Sequence, residues 1–294
     1  MATEGIAATA DKGTNFSQNR SIRCGRFILD LSQPVVMGIL NVTDDSFFDG
    51  GRYLSNQQIT DRVGEMLTAG AMIIDIGALS TRPGTSGGTA EEEEDRLLPV
   101  IDAVSAQFPD VLISADTYRV SVAKAAIRTG ASMINDISGG TMDTGMLEYI
   151  SITDAAYVLM HIQGTPLTMQ QNPSYKEVVT EVKAFFEKQL SILTSKGKEN
   201  IILDPGFGFG KEVIHNYQLL GNLEVFKSLG FPVLAGLSRK SMINKVLKIS
   251  PADALNGTTV LNTIALMKGA NILRVHDVKE AIEAVKLVNA LHGG

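Results

Sequence analysis

The sequence has one cysteine, no long apolar run and no cluster of basic residues. Because Cys24 has no second cysteine to pair with, an intrachain disulfide is excluded. No stretch approaches the roughly 18 consecutive apolar residues of a membrane-spanning helix, so we expect no membrane partner. The net charge of -6 is spread along the chain, which argues against a nucleic-acid-binding protein with a basic face.

The beginning of the chain also lacks a recognisable structural signal. Residues 1–20 are small and polar, without the apolar segment of a secretory signal peptide. We therefore expect 1–20 to form a disordered tail and the protein to be cytoplasmic. No break in composition marks a linker further on, so we predict one domain over 21–294.

What the sequence does have is a repeated alternation of short apolar, β-branched runs with segments of helical periodicity. Such runs suit parallel strands that are buried on both faces. The predicted strands are 35–40, 72–77, 111–116, 132–137, 156–161, 200–205, 232–238 and 271–276. The predicted helices are 59–69, 90–107, 120–129, 144–150, 175–196, 215–229, 252–267 and 278–291.

Eight strand–helix units of about 30 residues need about 250 residues, and the segment 35–291 supplies them. We therefore predict an α/β fold of the (β/α)8 TIM-barrel type. A doubly wound open sheet of similar length is the alternative that periodicity alone leaves open. Before the first barrel strand, 21–31 have the pattern of a short hairpin with Gly25 at its turn, placed to cap the barrel bottom.

Polar residues stand at the C-terminal end of one predicted strand after another. In a barrel these ends converge on one face, where active sites are built. The residues are Asn41, Asp75 with Ser80, Thr81 and Arg82, Asp116, Asn135, Asp136, His161, Asp204, Ser238, Arg239, Lys240, Arg274 and His276. One polar strand end is uninformative, but eight in succession indicate a site.

Some of these residues suit a fused nitrogen heterocycle. Carboxylates, an amide and an amine together match the donors and acceptors of such a ring. The group consists of Asp116, Asn135, Asp204 and Lys240. The structural alternative is an ion pair between Lys240 and one of the aspartates.

Others suit a phosphate or diphosphate with Mg²⁺. Two arginines, a histidine and a neutral oxygen ligand are suited to bind such an anion and its metal. This second group consists of Asn41, Arg82, Arg274 and His276. Ordinary salt bridges at strand ends are the alternative.

Three nearby features have a simpler structural interpretation. His161 follows an apolar strand, so we expect a buried, hydrogen-bonded histidine. Asp75 is expected to brace Arg82 or another loop rather than touch a ligand. The acidic run 91–95 begins a helix, where negative charge suits the helix dipole, and we expect a solvated N-terminus rather than a metal site.

The glycine-rich loop 204–211 (DPGFGFGK) is similar to a phosphate cradle only at first sight. Its spacing does not fit G-x-x-x-x-G-K-[ST], because Glu212 and Val213 follow the lysine. The alternation of glycine and phenylalanine instead offers an aromatic wall, from Phe207 or Phe209, beside Asp204. A wall of this kind suits a flat ring.

Seven motifs occur in order along the chain, namely GILNVT (38–43), DSFFDGG (45–51), STRPG (80–84), INDISGG (134–140), DPGFGFGK (204–211), SRKS (238–241) and RVHD (274–277). Together they resemble the dihydropteroate synthases, and the resemblance spans 22–291. It implies an alkyl-transferring enzyme of folate biosynthesis, on a TIM barrel, that condenses 6-hydroxymethyl-7,8-dihydropterin diphosphate with p-aminobenzoate. It also implies a sulfonamide target and a homodimer.

The resemblance implies residue roles as well. Asn41 would bind Mg²⁺ and, with Arg82, Arg274 and His276, the diphosphate. The pterin would contact Asp116, Asn135, Ile137, Met160, Asp204, Phe209 and Lys240. The p-aminobenzoate site would consist of Thr81, Pro83, Phe209, Lys240 and Ser241, the last at a helix N-terminus. The catalytic residues would be Arg82, Asp116, Lys240, Arg274 and His276, in an SN1-like reaction under two closing loops, 41–53 and 80–90.

The chain departs from the usual family pattern at Asp44, Phe48, Ala78 and Leu79, which would bear on affinity for p-aminobenzoate and sulfonamides. Three other functions compete with the synthase. A pterin-dependent methyltransferase barrel would share the pterin anchors but would not need Arg82, Arg274 and His276. A lysine-dependent aldolase would use Lys240 as its nucleophile. A non-catalytic pterin-binding homologue would bind without reacting.

Overall fold

The computed structural model describes residues 21–42, 56–79, 88–291 and 293. The predicted tail 1–20 lies outside these ranges. Within them the strands are β1 Ser21–Cys24, β2 Phe27–Asp30, β3 Val35–Asn41, β4 Ile73–Gly77, β5 Leu112–Asp116, β6 Met133–Asp136, β7 Ala156–Met160, β8 Ile201–Asp204, β9 Leu234–Ala235 and β10 Ile272–Val275. The α-helices are α1 Asn56–Thr68, α2 Ala90–Gln107, α3 Val120–Thr129, α4 Met146–Ser151, α5 Val178–Ser195, α6 Val213–Gly221, α7 Ser241–Leu247, α8 Leu255–Met267 and α9 Val278–Leu291.

Strands β3 to β10 form one parallel sheet that closes into a barrel. Their order is β8-β7-β6-β5-β4-β3-β10-β9. The two ends of this order meet where Leu203 bridges Val233 and the Leu203 N–H donates to the Pro232 carbonyl at 2.8 Å. The predicted TIM barrel is confirmed, and the open sheet is excluded.

Several element boundaries differ from the prediction. The predicted helix 215–229 is wrong as a single element, because α6 ends at Gly221 and a 3-10 helix, Leu223–Leu229, follows. Strand β9 has two residues where 232–238 were predicted. Helix α7 was not predicted from periodicity, and α8 begins only after a 3-10 turn, Pro251–Asp253. Short elements of this kind carry too few turns for a periodic signal.

The predicted hairpin is confirmed and closes the bottom of the barrel. Strands β1 and β2 pair antiparallel, and Gly25 takes a left-handed conformation with φ of +58° at the turn. The side chains that face the barrel are Ile22, Cys24, Leu29 and Leu31, and they pack against the inner residues at the N-terminal ends of the barrel strands. Cys24 is a buried free thiol.

The barrel interior is layered, with apolar side chains below and polar side chains above. The lower layer contains Ile73, Leu112, Met133, Ile202 and Ile272, which pack with the hairpin. Side chains two positions apart on a strand face the same side. The residues two positions further on are Asp75, Ser114, Asn135, Asp204 and Arg274. The polar layer therefore lies directly above the apolar one.

The strand residues that face away from the barrel interior form the second part of the core, together with the helices. The residues between the two inner layers, such as Ile74, Ile113 and Leu203, point outward and pack against the surrounding helices.

Among the described helices, none combines the length and apolarity that crossing a membrane would require.

Candidate active site

A network of three charged side chains and one amide forms the floor of the barrel mouth. The Arg274 guanidinium donates through Nε to Asp75 Oδ2 at 2.6 Å and through a terminal nitrogen to Asp116 Oδ2 at 2.7 Å. The Asn135 amide donates to the same Asp75 oxygen at 3.1 Å. Arg274 and Asp116 were predicted to belong to separate groups, and the structure joins those groups through an ion pair. Asp75 was expected to brace Arg82 or another loop, and in the structure it braces Arg274.

Asp116 sits in this network as a carboxyl group that titrates near neutrality. Burial raises its pKa to about 7, the Arg274 charge opposes that shift, and the Asp75 charge adds to it. The pKa of Asp204, on the opposite side of the barrel, is also raised, chiefly by burial. Both carboxyl groups are therefore poised to respond to a ligand that donates hydrogen bonds.

Lys240 reaches into the same mouth from the segment before α7. Its ammonium donates to the Phe207 carbonyl and lies 4.7 Å from the centre of the Phe209 ring. Burial lowers its pKa to about 8, against the opposing charge of Asp204. No ion pair within 4.0 Å joins Lys240 to a carboxylate in the described part of the chain, so the structural alternative for this lysine is not realised.

His276 faces the mouth as a neutral imidazole. Burial, and then the Arg274 charge, lower its pKa to about 4. Its Nδ1 lies 3.0 Å from the Ser238 hydroxyl, which also accepts from the His276 backbone N–H at 3.2 Å. When the hydroxyl donates to Nδ1, the ring proton is on Nε2, which leaves Nε2–H as a hydrogen-bond donor for an anion.

Two glycines keep the mouth open. Gly77 stands two residues after Asp75, and a Cβ there would lie 3.5 Å from Asp116 Oδ2 and 3.7 Å from Asn41 Oδ1. A Cβ on Gly236 would lie 3.9 Å from Lys240 Nζ. Both positions face inward by strand alternation, so a larger side chain at either one would fill the space between the polar groups.

An apolar wall completes the mouth on the side of β6 and β7. Ile137 and Met160 belong to one buried cluster there, together with Ile162 and Met169, and the partly buried Phe209 packs against it. Phe207 is instead fully buried in the main core between barrel and helices. Of the two aromatic candidates in the glycine-rich loop, Phe209 is therefore the one that faces the mouth.

His161 is buried and hydrogen-bonded, as expected, and its partner is Lys211. The two side chains lie 3.0 Å apart at Nζ and Nδ1, and burial lowers the pKa of His161 to about 2. Lys211 also donates to the carbonyls of Gly206 and Phe209, at 3.0 Å each. This lysine braces the loop that presents Phe209, a role that was not predicted from the sequence. Its place at the end of the glycine-rich motif was the available signal.

Two further charged contacts were missed or misjudged. Arg239 adopts a left-handed backbone with φ of +54° and forms a bidentate pair with Asp277, 2.9 Å for each bond. This pair fixes the segment between Ser238 and Lys240 to the start of α9. The run 91–95 does begin a helix, with a capping box between Thr89 and Glu92, but Glu93 is fully buried and paired with Arg119. The expectation of a wholly solvated run was wrong.

The remaining predicted site residues lie at the rim or outside the described ranges. Asn41 is the half-buried last residue of β3, and Ser241 is the exposed first residue of α7. Thr81, Arg82, Pro83, Asp44 and Phe48 lie outside the described residues, as do most of the two predicted loops. Ala78 and Leu79 are buried. In the described ranges, no three histidine, cysteine, aspartate or glutamate side chains are grouped as metal ligands.

Known proteins are similar to this chain in both sequence and fold. The profile of the family described as pterin binding enzyme matches residues 37–276. The dihydropteroate synthase of Escherichia coli K12 is 46% identical over 264 residues, covering 89% of this chain and 93% of the relative. A Yersinia pestis dihydropteroate synthase structure, in complex with a sulfonamide drug, superposes with a TM-score of 0.87 at 42% identity, covering 93% and 100% of the two chains. A Xanthomonas albilineans dihydropteroate synthase structure with 7,8-dihydropteroate gives 0.84 at 35% identity, covering 93% and 99%.

Proposed function

The chain belongs to the dihydropteroate synthase family of pterin-binding enzymes, and on that premise we propose that its barrel mouth condenses 6-hydroxymethyl-7,8-dihydropterin diphosphate with p-aminobenzoate. The family transfers an alkyl group, here the pterin methylene, and the resulting product is 7,8-dihydropteroate. The observation that carries the proposal is the polar layer with Asn135, Asp204 and Arg274 above an apolar one, together with Asp116, which pairs with Arg274.

The pterin ring would lie on this polar layer. Asp116 and Asp204 offer carboxylate oxygens to the ring N–H groups, while Asn135 and Lys240 complete the polar contacts. The cluster that contains Ile137, Met160 and Phe209 supplies an apolar wall of the kind that a flat heterocycle prefers. The openings at Gly77 and Gly236 give the ring its room.

The diphosphate would lie at the rim, next to Arg274 and His276. One edge of the Arg274 guanidinium donates to Asp75 and Asp116, so its remaining N–H groups are available to an anion. His276 offers Nε2–H as a further donor. A guanidinium and a neutral donor stabilise a departing anion without titrating near neutral pH. Arg82 would add a second guanidinium from the loop that follows β4.

The family resemblance implies Mg²⁺, and the residues at the rim fit it. Mg²⁺ takes few protein ligands and completes its shell with water and phosphate oxygens. The Asn41 amide oxygen borders the open space above Gly77, which suits a single oxygen ligand of this kind. The chemistry that the ion supplies when bound is neutralisation of charge on the diphosphate.

The p-aminobenzoate would enter beside Phe209 and Lys240, towards Ser241, with Thr81 and Pro83 from the loop after β4. In the reaction the bond between the pterin methylene and the diphosphate oxygen breaks, and its electron pair leaves with the diphosphate. The nitrogen lone pair of the aryl amine then forms the C–N bond, and the nitrogen loses one proton to water. Asp116 and Asp204 would stabilise positive charge on the pterin, while Arg274 and His276 stabilise the leaving anion.

The test is a direct assay. The protein is mixed with Mg²⁺, the dihydropterin diphosphate and p-aminobenzoate, and diphosphate release is measured. Release that depends on both substrates, with dihydropteroate as product, supports the proposal. Pterin binding without release would identify a non-catalytic pterin-binding protein instead. Competition by a sulfonamide against p-aminobenzoate is expected as well.

We also propose that the protein is a homodimer through α7, α8 and α9. These helices expose large apolar side chains on their outer faces, namely Val246, Leu247, Val260, Ile264, Met267, Leu287 and Leu291. Single exposed apolar residues are common, but a patch over neighbouring helices marks an interface. Light scattering should give twice the chain mass, and a Val260→Glu, Ile264→Glu variant should give a monomer. A monomeric wild type at micromolar concentration would contradict the proposal.

A cytoplasmic location and a single domain over 21–294 are the last parts of the proposal. The buried thiol of Cys24 suits a reducing compartment. The hairpin that precedes β3 packs into the bottom of the barrel, which supports one folding unit.

A further inference from the structure

Asp75 lies beneath the residues that we propose for substrate binding. It is fully buried in the middle of β4 and faces the barrel interior, two residues after the apolar Ile73. A carboxylate at such a depth is costly unless it is paired and hydrogen-bonded. The hydrogen-bond partners of Asp75 therefore indicate its role in the site.

One oxygen of Asp75 holds two residues of the site at once. Oδ2 accepts from Arg274 Nε at 2.6 Å and from the Asn135 amide at 3.1 Å. Because the Asn135 amide nitrogen points to Asp75, its carbonyl oxygen points away from that carboxylate and remains an acceptor. Because Nε of Arg274 is held, the guanidinium plane is fixed, and its other edge is left for an anion.

The surroundings of the second carboxylate oxygen of Asp75, Oδ1, are not those expected for a purely stabilising role. Asp75 Oδ1 is buried without a hydrogen-bond partner among the described residues, and so is the hydroxyl of Ser114, its register partner on β5. Native proteins rarely leave such groups unpaired, and those they leave call for an explanation. A carboxylate retained for orientation at a site is one such explanation.

We propose that Asp75 is a positioning residue, which holds Asn135 and Arg274 in the orientation that the dihydropterin ring and its diphosphate require. The inference rests on the proposed function and extends it. Asp75 acts through these two side chains and touches neither the reacting carbon nor the leaving oxygen. It fixes the relation between the ring-binding and anion-binding parts of the mouth.

The test compares Asp75→Asn with a control, Asp143→Asn. Asp143 is a half-buried aspartate before α4 that accepts hydrogen bonds from the Val120 and Gly145 N–H groups, outside the site. Losing a charge-assisted hydrogen bond on each partner should lower kcat of Asp75→Asn about 10- to 100-fold. The KM for p-aminobenzoate should change less than about threefold, since no p-aminobenzoate contact depends on Asp75. Asp143→Asn should lose thermal stability and keep kcat.

A double-mutant cycle separates positioning from stability. Because Asp75 acts through both Arg274 and Asn135, adding Asp75→Asn to Arg274→Ala should lower kcat by a smaller factor than Asp75→Asn does in the wild type. The residual loss is the part that acts through Asn135. Additive losses would overturn the proposal, as would a normal kcat in Asp75→Asn. An inactive wild type would refute the proposed function instead, so the two failures are distinguishable.

A polarity swap covers the case in which Asp75→Asn folds poorly. In Asp75→Asn, Asn135→Asp the amide at 75 donates to a carboxylate at 135, which reverses the original hydrogen bond and keeps the buried charge. Calorimetry with the dihydropterin diphosphate should show tighter binding to this variant than to Asn135→Asp alone. Binding no better than that of Asn135→Asp would overturn the role in orienting position 135.

Discussion

The raised pKa of Asp116 predicts that pterin binding tightens as pH rises through neutrality. We propose that this carboxyl group accepts hydrogen bonds from the ring, which it does fully only when ionised. Burial raises its pKa to about 7. Four charged groups face it, of which Arg274 lowers the pKa and Asp75, Glu93 and Asp136 raise it. The competent, ionised form is therefore lost as pH falls.

The size of the effect follows from the ionised fraction. With a pKa of about 7, roughly one-tenth of Asp116 is ionised at pH 6 and roughly nine-tenths at pH 8. Apparent affinity scales with the competent fraction, so the dissociation constant should fall about tenfold over this interval. An unshifted aspartate, ionised throughout, would give no change.

Calorimetry at several pH values measures this dependence. The ligand is 6-hydroxymethyl-7,8-dihydropterin, because it has no diphosphate whose own titration would enter. Asp116→Asn is the control: it binds more weakly, and any pH dependence left in it belongs to the ligand or to other groups. Affinity of the wild type that is constant, or that weakens, from pH 6 to pH 8 would refute the reasoning.

Three other predictions concern the same barrel mouth. Arg274→Ala should lower kcat more than about 100-fold, because the departing anion loses its stabilisation. It should also raise the pKa of Asp116 further and so weaken pterin binding at neutral pH. Steady-state kinetics and calorimetry measure these two effects, and near-normal turnover would contradict the diphosphate role. Borohydride with both substrates should leave Lys240 unmodified in a mass spectrum, and a reduced adduct would instead support a Schiff-base enzyme. Gly77→Leu should abolish pterin binding measured by calorimetry, because the leucine side chain would fill the open mouth, and should lower the melting temperature little. Unimpaired binding would show that the ring lies elsewhere.

The fold was predictable because its signals are local and repeated. Apolar runs and helical periods recur eight times, and α2, α3 and α9 begin and end where periodicity placed them. Prediction failed where elements are short: β9, α7 and the break after Gly221 depend on closing the barrel and packing its last helices. A two-residue strand has no period to read.

The candidate site was predictable as a set of residues but not as a set of contacts. Strand ends indicated Asp116, Asn135 and Arg274, while chemical type alone divided them into a ring group and an anion group. The role of Lys211 was missed because it braces a loop from outside the strand ends, and Arg239 was recognised at a strand end without its pairing to Asp277.

The sequence by itself determined that polar side chains would stand above apolar ones inside a barrel, since residues two apart on a strand share a face. Only the tertiary structure decided which of them pair. Arg274 reaches Asp116 across 158 positions and Asp75 across 199, and both contacts exist because β10 closes beside β3. The near-neutral pKa of Asp116 has the same origin, because burial and the effect of neighbouring charges depend on which groups the fold brings close together.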